Sequence, residues 1–334
     1  MLQADAIITL DAGRYRLRDA LAGSAYGLVW RAEPVAGGGA VALKFINAAQ
    51  MACAAPLQRA RWVDSAANEI AFLRSLAPWD ERHIVRLLDS GSHDGLPVLA
   101  LELLGVDLGR HLAAARALGQ PPAMAAILAW VGQINQALAK VHQYGWRYLD
   151  LKPANLLLHR ATGGVKLADF GTSCLLAAAP TQAYAGTASW QAPEQFFPSA
   201  QGSYDTDIRT DYFALGAMLY YLVTGGLPLR FCSDCGNAYR EHQSGGAALL
   251  LARHGGRAPS TLHDDEAALF AQRAGHGLDD PAPALALLRV LLAARREERP
   301  RNALQISRML QACRPAAALR ASCARVATPA WSPA

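Results

Sequence analysis

Apolar and polar positions alternate loosely over 14–21, and the run Gly27-Leu28-Val29-Trp30-Arg31-Ala32 continues in strand-like fashion. Gly37-Gly38-Gly39 marks a turn and 40–46 resumes as a strand, so the chain opens as a hairpin meander. The period then changes. Ile70, Leu73 and Leu76 share one helical face, which predicts a helix over 64–76. Strands return at 84–88 and 96–103. After Gly105 the pattern turns helical: Trp130, Ile134, Leu138 and Val141 stay in register over 123–141, and helices dominate from Asp211 onward. The longest charge-free apolar run, 212–229, approaches the roughly 18–20 residues of a membrane span. Arg209 and Asp211 start it and Gly225, Gly226 and Pro228 end it, so it reads as a buried core helix that stops at Gly225-Gly226. Asp280-Pro281 predicts a further helix start. The Ala- and Pro-rich stretch 315–334 reads as a mobile extension, and no internal repeat shows.

Composition narrows the class. In 334 residues, 52% are hydrophobic and 18% charged, which predicts a soluble globular chain with a large core and excludes disorder. The net charge of +5 is spread without a Lys/Arg block, so no nucleic-acid partner is expected. The N-terminus lacks a basic and then apolar leader, which predicts no signal peptide and a cytoplasmic protein without a membrane span. Six scattered cysteines fit free thiols in a reducing compartment. Only Cys232-Ser233-Asp234-Cys235 has ligand-like spacing. With His242 as its sole nearby companion it falls short of a four-ligand zinc site, and it reads as a loop with two free thiols.

Three blocks carry candidate chemistry: Asp150-Leu151-Lys152-Pro153-Ala154-Asn155, Lys166-Leu167-Ala168-Asp169-Phe170-Gly171, and Ala192-Pro193-Glu194. The first places a carboxylate and an amide on one tight loop, and the second adds another carboxylate; a hard cation favours such oxygen donors. In order and spacing the blocks resemble the catalytic loop, the metal-binding turn and the end of the activation segment of a eukaryotic-like (Hanks-type) serine/threonine protein kinase. The Ala-, Leu-, Arg- and Gly-rich composition fits a bacterial member. The resemblance implies an α+β, bilobal protein-kinase-like fold over 13–314: a small sheet-rich N-lobe with one main helix over about 13–104, and a larger helical C-lobe over about 105–314.

It also implies Mg-ATP-dependent phosphoryl transfer to Ser/Thr hydroxyls of protein substrates, with autophosphorylation. Such transfer needs positioning and charge neutralisation more than covalent chemistry. Lys44, in Val41-Ala42-Leu43-Lys44, would pair with the ATP phosphates and be held by Glu69. Asp150 would accept or orient the substrate proton, with Lys152 on the transferred phosphate, making Asp150, Lys152, Lys44 and Glu69 the catalytic set. Asn155 and Asp169 would hold Mg²⁺. Ala22, Gly23, Ser24, Gly27, Val29, Ala42, Lys44, Glu102, Leu103, Asn155 and Asp169 would bind the nucleotide. Thr187 matches the substrate platform. Asp211 would anchor the catalytic loop, and Arg299 would pair with Glu194.

Two departures stand out. The family's G-x-G-x-x-G loop is here Ala22-Gly23-Ser24-Ala25-Tyr26-Gly27, which implies a weaker grip on ATP. The family's His-Arg-Asp is Tyr148-Leu149-Asp150. Tyr148 can keep the aromatic packing beneath Phe170. Leu149 cannot contact a phosphate, so phosphorylation at Thr172, Ser173, Thr181 or Tyr184 is not expected to be the main on-switch. A rival reading is a pseudokinase, a nucleotide- or partner-binding scaffold without turnover. A small-metabolite kinase is opposed by Ala192-Pro193-Glu194. The region 230–277, with Gly245-Gly246 and Gly255-Gly256 as loop signals, fits the family least and is where chain-specific partners are expected.

Overall fold

Alternation over the first hundred residues builds one six-stranded antiparallel sheet in a computed structural model that describes residues 2–24, 26–181 and 186–314. The expected extension over 315–334 and the candidate Tyr184 lie outside the described residues. The strands are β1 (Ile7–Thr9), β2 (Arg14–Gly23), β3 (Gly27–Pro34), β4 (Val41–Ile46), β5 (Leu87–His93) and β6 (Leu96–Glu102), in the order β1-β2-β3-β4-β6-β5. The sheet curls until its edges meet: Asp11 N donates to Ser90 O at 3.0 Å and Ala12 N to Asp89 Oδ1 at 3.0 Å. Ile8, Leu17, Leu43 and Phe45 fill the inside of the curl. Because side chains alternate across a strand, Val41, Leu43 and Phe45 of β4 face that core while Ala42 and Lys44 face the other side. Val29 stands opposite Lys44 in the register of β3 and β4.

That other side receives the main helix, α2 (Pro56–Ser75), which a short helix, α1 (Ala48–Ala52), precedes. α2 begins eight residues before the predicted start at 64. Its first turns bury nothing, so no apolar stripe marks them; only Glu69, Phe72 and Leu73 are buried. The strand expected at 84–88 lies at Leu87–His93, where Ser90-Gly91-Ser92 masks its character.

Helices build the second lobe: α3 (Leu108–Ala117) and α4 (Met124–Gln143), then α5 (Pro193–Phe196), α6 (Ile208–Val223), α7 (Arg230–His242), α8 (Gly246–Arg253), α9 (Asp264–Gly275), α10 (Ala282–Leu291) and α11 (Ala303–Ala312). Between α4 and α5 lie the short strands β7 (Trp146–Arg147), β8 (Leu156–Leu158), β9 (Val165–Leu167) and β10 (Cys174–Leu175). α6 is the buried pillar that the apolar run predicts. The Asp207 side chain caps it by accepting from Arg209 N at 2.7 Å, and Gly225 and Gly226 end it at φ 74° and 102°. Among the described residues no helix is long and apolar enough to cross a membrane.

The region 230–277 corrects the loop reading. It holds α7, α8 and α9. Gly246 is a close contact: a Cβ there would lie 2.6 Å from Ala238 O. Cys232 and Cys235 sit buried on α7 and not in a loop, and burial pushes the Cys232 thiol up to about 12. Among the described residues no group of three or more His, Cys, Asp or Glu could hold a metal ion. The architecture is the α+β, two-lobed one expected, a small curled sheet with one main helix above a larger helical lobe.

Candidate active site

Several elements converge on one cleft between the lobes. β4 delivers Lys44 and α2 delivers Glu69. The segment after β7 delivers Asp150, Lys152 and Asn155, and the turn after β9 delivers Asp169. The Lys44 ammonium lies 2.6 Å from Glu69 Oε2 and 2.8 Å from Asp169 Oδ1. Burial opposes the Lys44 charge, yet Asp169 and Glu69 outweigh it and raise its pKa. Burial raises the Glu69 carboxyl, with Lys44 opposing. Lys44 holds the Asp169 carboxyl below its ordinary value. Glu69 is 1% exposed and Asp169 is 45% exposed, so the first positions the lysine and the second still faces the cleft.

Asp150 lies in a second cluster. Its Oδ2 accepts from Lys152 Nζ at 2.7 Å and from Asn155 Nδ2 at 3.1 Å, and its Oδ1 accepts from Thr187 Oγ1 at 2.7 Å. Lys152 Nζ also donates to Thr187 Oγ1 at 2.9 Å. Burial raises the Asp150 pKa against the pull of Lys152 and Thr187. Asn155 Nδ2 further donates to Asp150 O at 2.9 Å, which leaves the amide oxygen as the group Asn155 can offer a cation.

The loop that carries these groups is held from below. Asp211 on α6 accepts from Tyr148 N at 2.9 Å, Leu149 N at 2.7 Å and His142 at 2.8 Å. Leu149 and Asp169 both adopt positive φ, 68° and 61°, strained conformations of the kind that cluster at functional sites. Phe170 stacks on Phe72 of α2 at 4.5 Å and meets Tyr148 edge-on at 5.2 Å, so an aromatic column joins the main helix to the loop. Arg299 grips Glu194 with two bonds, 2.7 and 2.9 Å.

The remaining predicted residues lie on the strands of the sheet, at the tip of the β2–β3 hairpin and just after the last strand. Ala22 and Gly23 end β2, and Ala22 pairs with Val29 across the hairpin. Ser24 Oγ accepts from Gly27 N at 3.0 Å and Tyr26 N at 3.2 Å, so the hairpin tip satisfies its own amides. Ala42 is buried and Leu103 half-buried. The Glu102 carboxylate accepts from Lys166 Nζ at 2.5 Å and Arg86 N at 2.9 Å, so its charge is engaged outside the two clusters.

Sequence reasoning missed other residues. Ser65 Oγ donates to Gly171 O at 2.7 Å, tying α2 to the turn that bears Asp169. Gln195 Nε2 donates to Leu149 O at 2.9 Å. Gly186, at φ 101°, lies where a Cβ would come within 2.9 Å of Leu149 O. Arg147 is buried beside the activation segment. Their partners are mostly backbone carbonyls, which no sequence pattern marks.

The family model described as "Protein kinase domain" matches residues 17–310. The serine/threonine-protein kinase Pkn1 of Myxococcus xanthus is 32% identical over 232 residues, 67% of this chain and 31% of that protein. The serine/threonine-protein kinase PknL of Mycobacterium tuberculosis is 33% identical over 171 residues, 50% of this chain and 41% of that protein. The chain thus spans less than half the length of these curated relatives. Among solved structures, the kinase domain of Mycobacterium tuberculosis PknI matches with a TM-score of 0.62 at 24% identity, covering 93% of this chain and 99% of that one. The fold, the order of its motifs and a family match over most of the length lead to one conclusion: this chain belongs to the protein kinase family, and its curated relatives are bacterial serine/threonine kinases.

Proposed function

We propose that this chain transfers the γ-phosphoryl group of Mg-ATP to Ser/Thr hydroxyls of proteins, itself included, and that it does so in the cytoplasm. One observation carries the reading: residues from 44 to 187 gather in two neighbouring clusters, one a lysine between two carboxylates, the other built around a carboxylate beside a hydroxyl. The hard oxygens of Asp169 and Asn155 suit Mg²⁺, which takes one or two protein ligands and completes its shell with phosphate and water. Bound there, Mg²⁺ supplies charge neutralisation for the phosphates. Lys44, kept protonated by two carboxylates, adds a second fixed positive charge. The Thr187 hydroxyl lies 2.7 Å from Asp150, the distance at which that carboxylate can receive the proton of an incoming alcohol. Lys152, shared between Asp150 and Thr187, places a cation beside that hydroxyl and balances negative charge that grows on the transferred group. The free cysteines among the described residues suit a reducing compartment.

The test is phosphate transfer from radiolabelled ATP to the purified chain and to a generic basic protein, beside Asp150→Ala. Incorporation that disappears in the variant supports the reading. The rival, a binding scaffold without turnover, draws support from the Ser24 bonds that occupy the hairpin amides. It predicts nucleotide-induced thermal stabilisation with no transfer.

A further inference from the structure

Arg147 is 5% exposed, and among the described residues no carboxylate pairs with it. Burying a guanidinium among neutral groups is costly, so its acceptors must repay the lost hydration. They come from two separate stretches of chain. Nε donates to Cys174 Sγ at 2.9 Å and Nη2 to Ala178 O at 3.4 Å, both in the activation segment. Nη1 donates to Thr206 O at 2.5 Å, immediately before Asp207, the cap of α6. Arg147 itself lies on β7, opposite Cys174 in the register of β7 and β10, and Leu176 N extends the pairing to Gly145 O at 2.8 Å. One planar fork therefore ties three things together: the strand that enters the catalytic loop, the activation segment, and the start of the pillar helix whose Asp211 holds that loop.

We propose that Arg147 is a positioning residue that fastens the activation segment through Cys174 Sγ and the Ala178 carbonyl and so replaces a phosphate contact. The idea rests on the kinase reading above and adds its mode of regulation. Leu149, in the slot where the family carries an arginine, has no charge to offer a phosphate. Arg147, two residues earlier, brings a permanent charge to the same segment and directs it at the Ala178 carbonyl, which needs no modification. The segment is then held in place in the unphosphorylated chain.

The test uses the full chain produced with a broad-specificity phosphatase and shown by mass spectrometry to carry no phosphate on 172–194. The phosphate-free wild type is expected to keep at least half its transfer rate. Arg147→Met, which keeps the stem and removes the fork, is expected to lower kcat/KM for the protein substrate at least tenfold and leave Mg-ATP affinity within about twofold. Arg147→Lys, a charge without the fork, is expected to recover only part of the loss. Amides of 172–181 should exchange hydrogen at least tenfold faster in Arg147→Met, with those of α6 unchanged. Wild-type activity or exchange in Arg147→Met overturns the proposal, as does full recovery in Arg147→Lys or a phosphate-free wild type silenced more than tenfold. If the wild type transfers no phosphate at all, the kinase reading fails and the exchange rates alone decide the role of Arg147. If Arg147→Met does not fold, Arg147→Lys carries the exchange measurement.

Discussion

The proposed transfer asks Asp150 to carry a negative charge where burial disfavours one. The ordinary Asp value is about 3.9, and burial moves this one upward despite Lys152 and Thr187. If the ionised form receives the substrate proton, kcat/KM should fall on the acid side with a midpoint above that ordinary value, and a rate profile with circular dichroism at each pH checks it. Asp150→Asn should remove transfer by at least about a thousandfold with Mg-ATP affinity nearly unchanged, and a variant of near-normal rate would sink the role. The same shift has a stability sign. A carboxyl raised by folding subtracts stability above its folded pKa and subtracts none below its unfolded one. Asp169, lowered by Lys44, works the other way: its contribution is present above the unfolded value and lost as pH falls through the folded one. Arg299 is a residue of pure architecture. It bonds both Glu194 oxygens and the carbonyls of Ala293, Ala294 and Arg209, and its side chain is 0% exposed. Arg299→Ala leaves these acceptors unmet and should cost about 3–5 kcal/mol in urea unfolding.

Helix α2 couples packing to chemistry. Glu69 and Phe72 lie one turn apart, so the face that holds Lys44 also holds Phe170. Phe72→Ala should cost about 3–5 kcal/mol and lower the transfer rate more than tenfold, because the column that sets the helix against the Asp169 turn is broken. Tyr148→Phe removes the hydroxyl bond to Ala168 O and the hydroxyl's interaction with Asn155, and keeps the ring. It should cost about 1 kcal/mol with the rate within threefold, and a larger loss of rate would assign the hydroxyl a role beyond packing. Elements like α2 also show where sequence reading stops. Its second half is legible because burial there has helical period. Its first half buries no residue fully, and with no apolar stripe nothing distinguishes it from a loop. Between α7 and α8 the signal misleads in the opposite way. Gly245-Gly246 looks like a break, yet Gly246 is the residue that lets α8 approach Ala238 of α7.

At the scale of the molecule, the fold was legible because the blocks at 150–155, 166–171 and 192–194 are local strings with fixed order. The curl of the sheet was not, since Asp11 meets Ser90 and Ala12 meets Asp89 only after distant strands are paired. Nor was Arg147, whose partners lie 27, 31 and 59 positions away. The candidate site spans both lobes: Lys44 and Glu69 come from the sheet and its helix, Asp150, Asn155 and Asp169 from the helical lobe. A ligand gripped by both halves at once stabilises them jointly. Mg-ATP at a hundred times its Kd should add about 2.7 kcal/mol, which for a chain of this size is a Tm rise of roughly 4 °C. ATP with a chelator should give a clearly smaller rise, because the Asp169 carboxylate then faces phosphate without an intervening cation and like charges repel. Asp169→Asn removes one of those charges, so its shift should differ little with or without the metal, while Lys44→Met should weaken both. Thermal unfolding of the three proteins in the two media decides it. Equal shifts with and without Mg²⁺ in the wild type would mean that the nucleotide does not engage Asp169, and the paired arrangement of Lys44 and Asp169 would then be an ion pair of the fold alone.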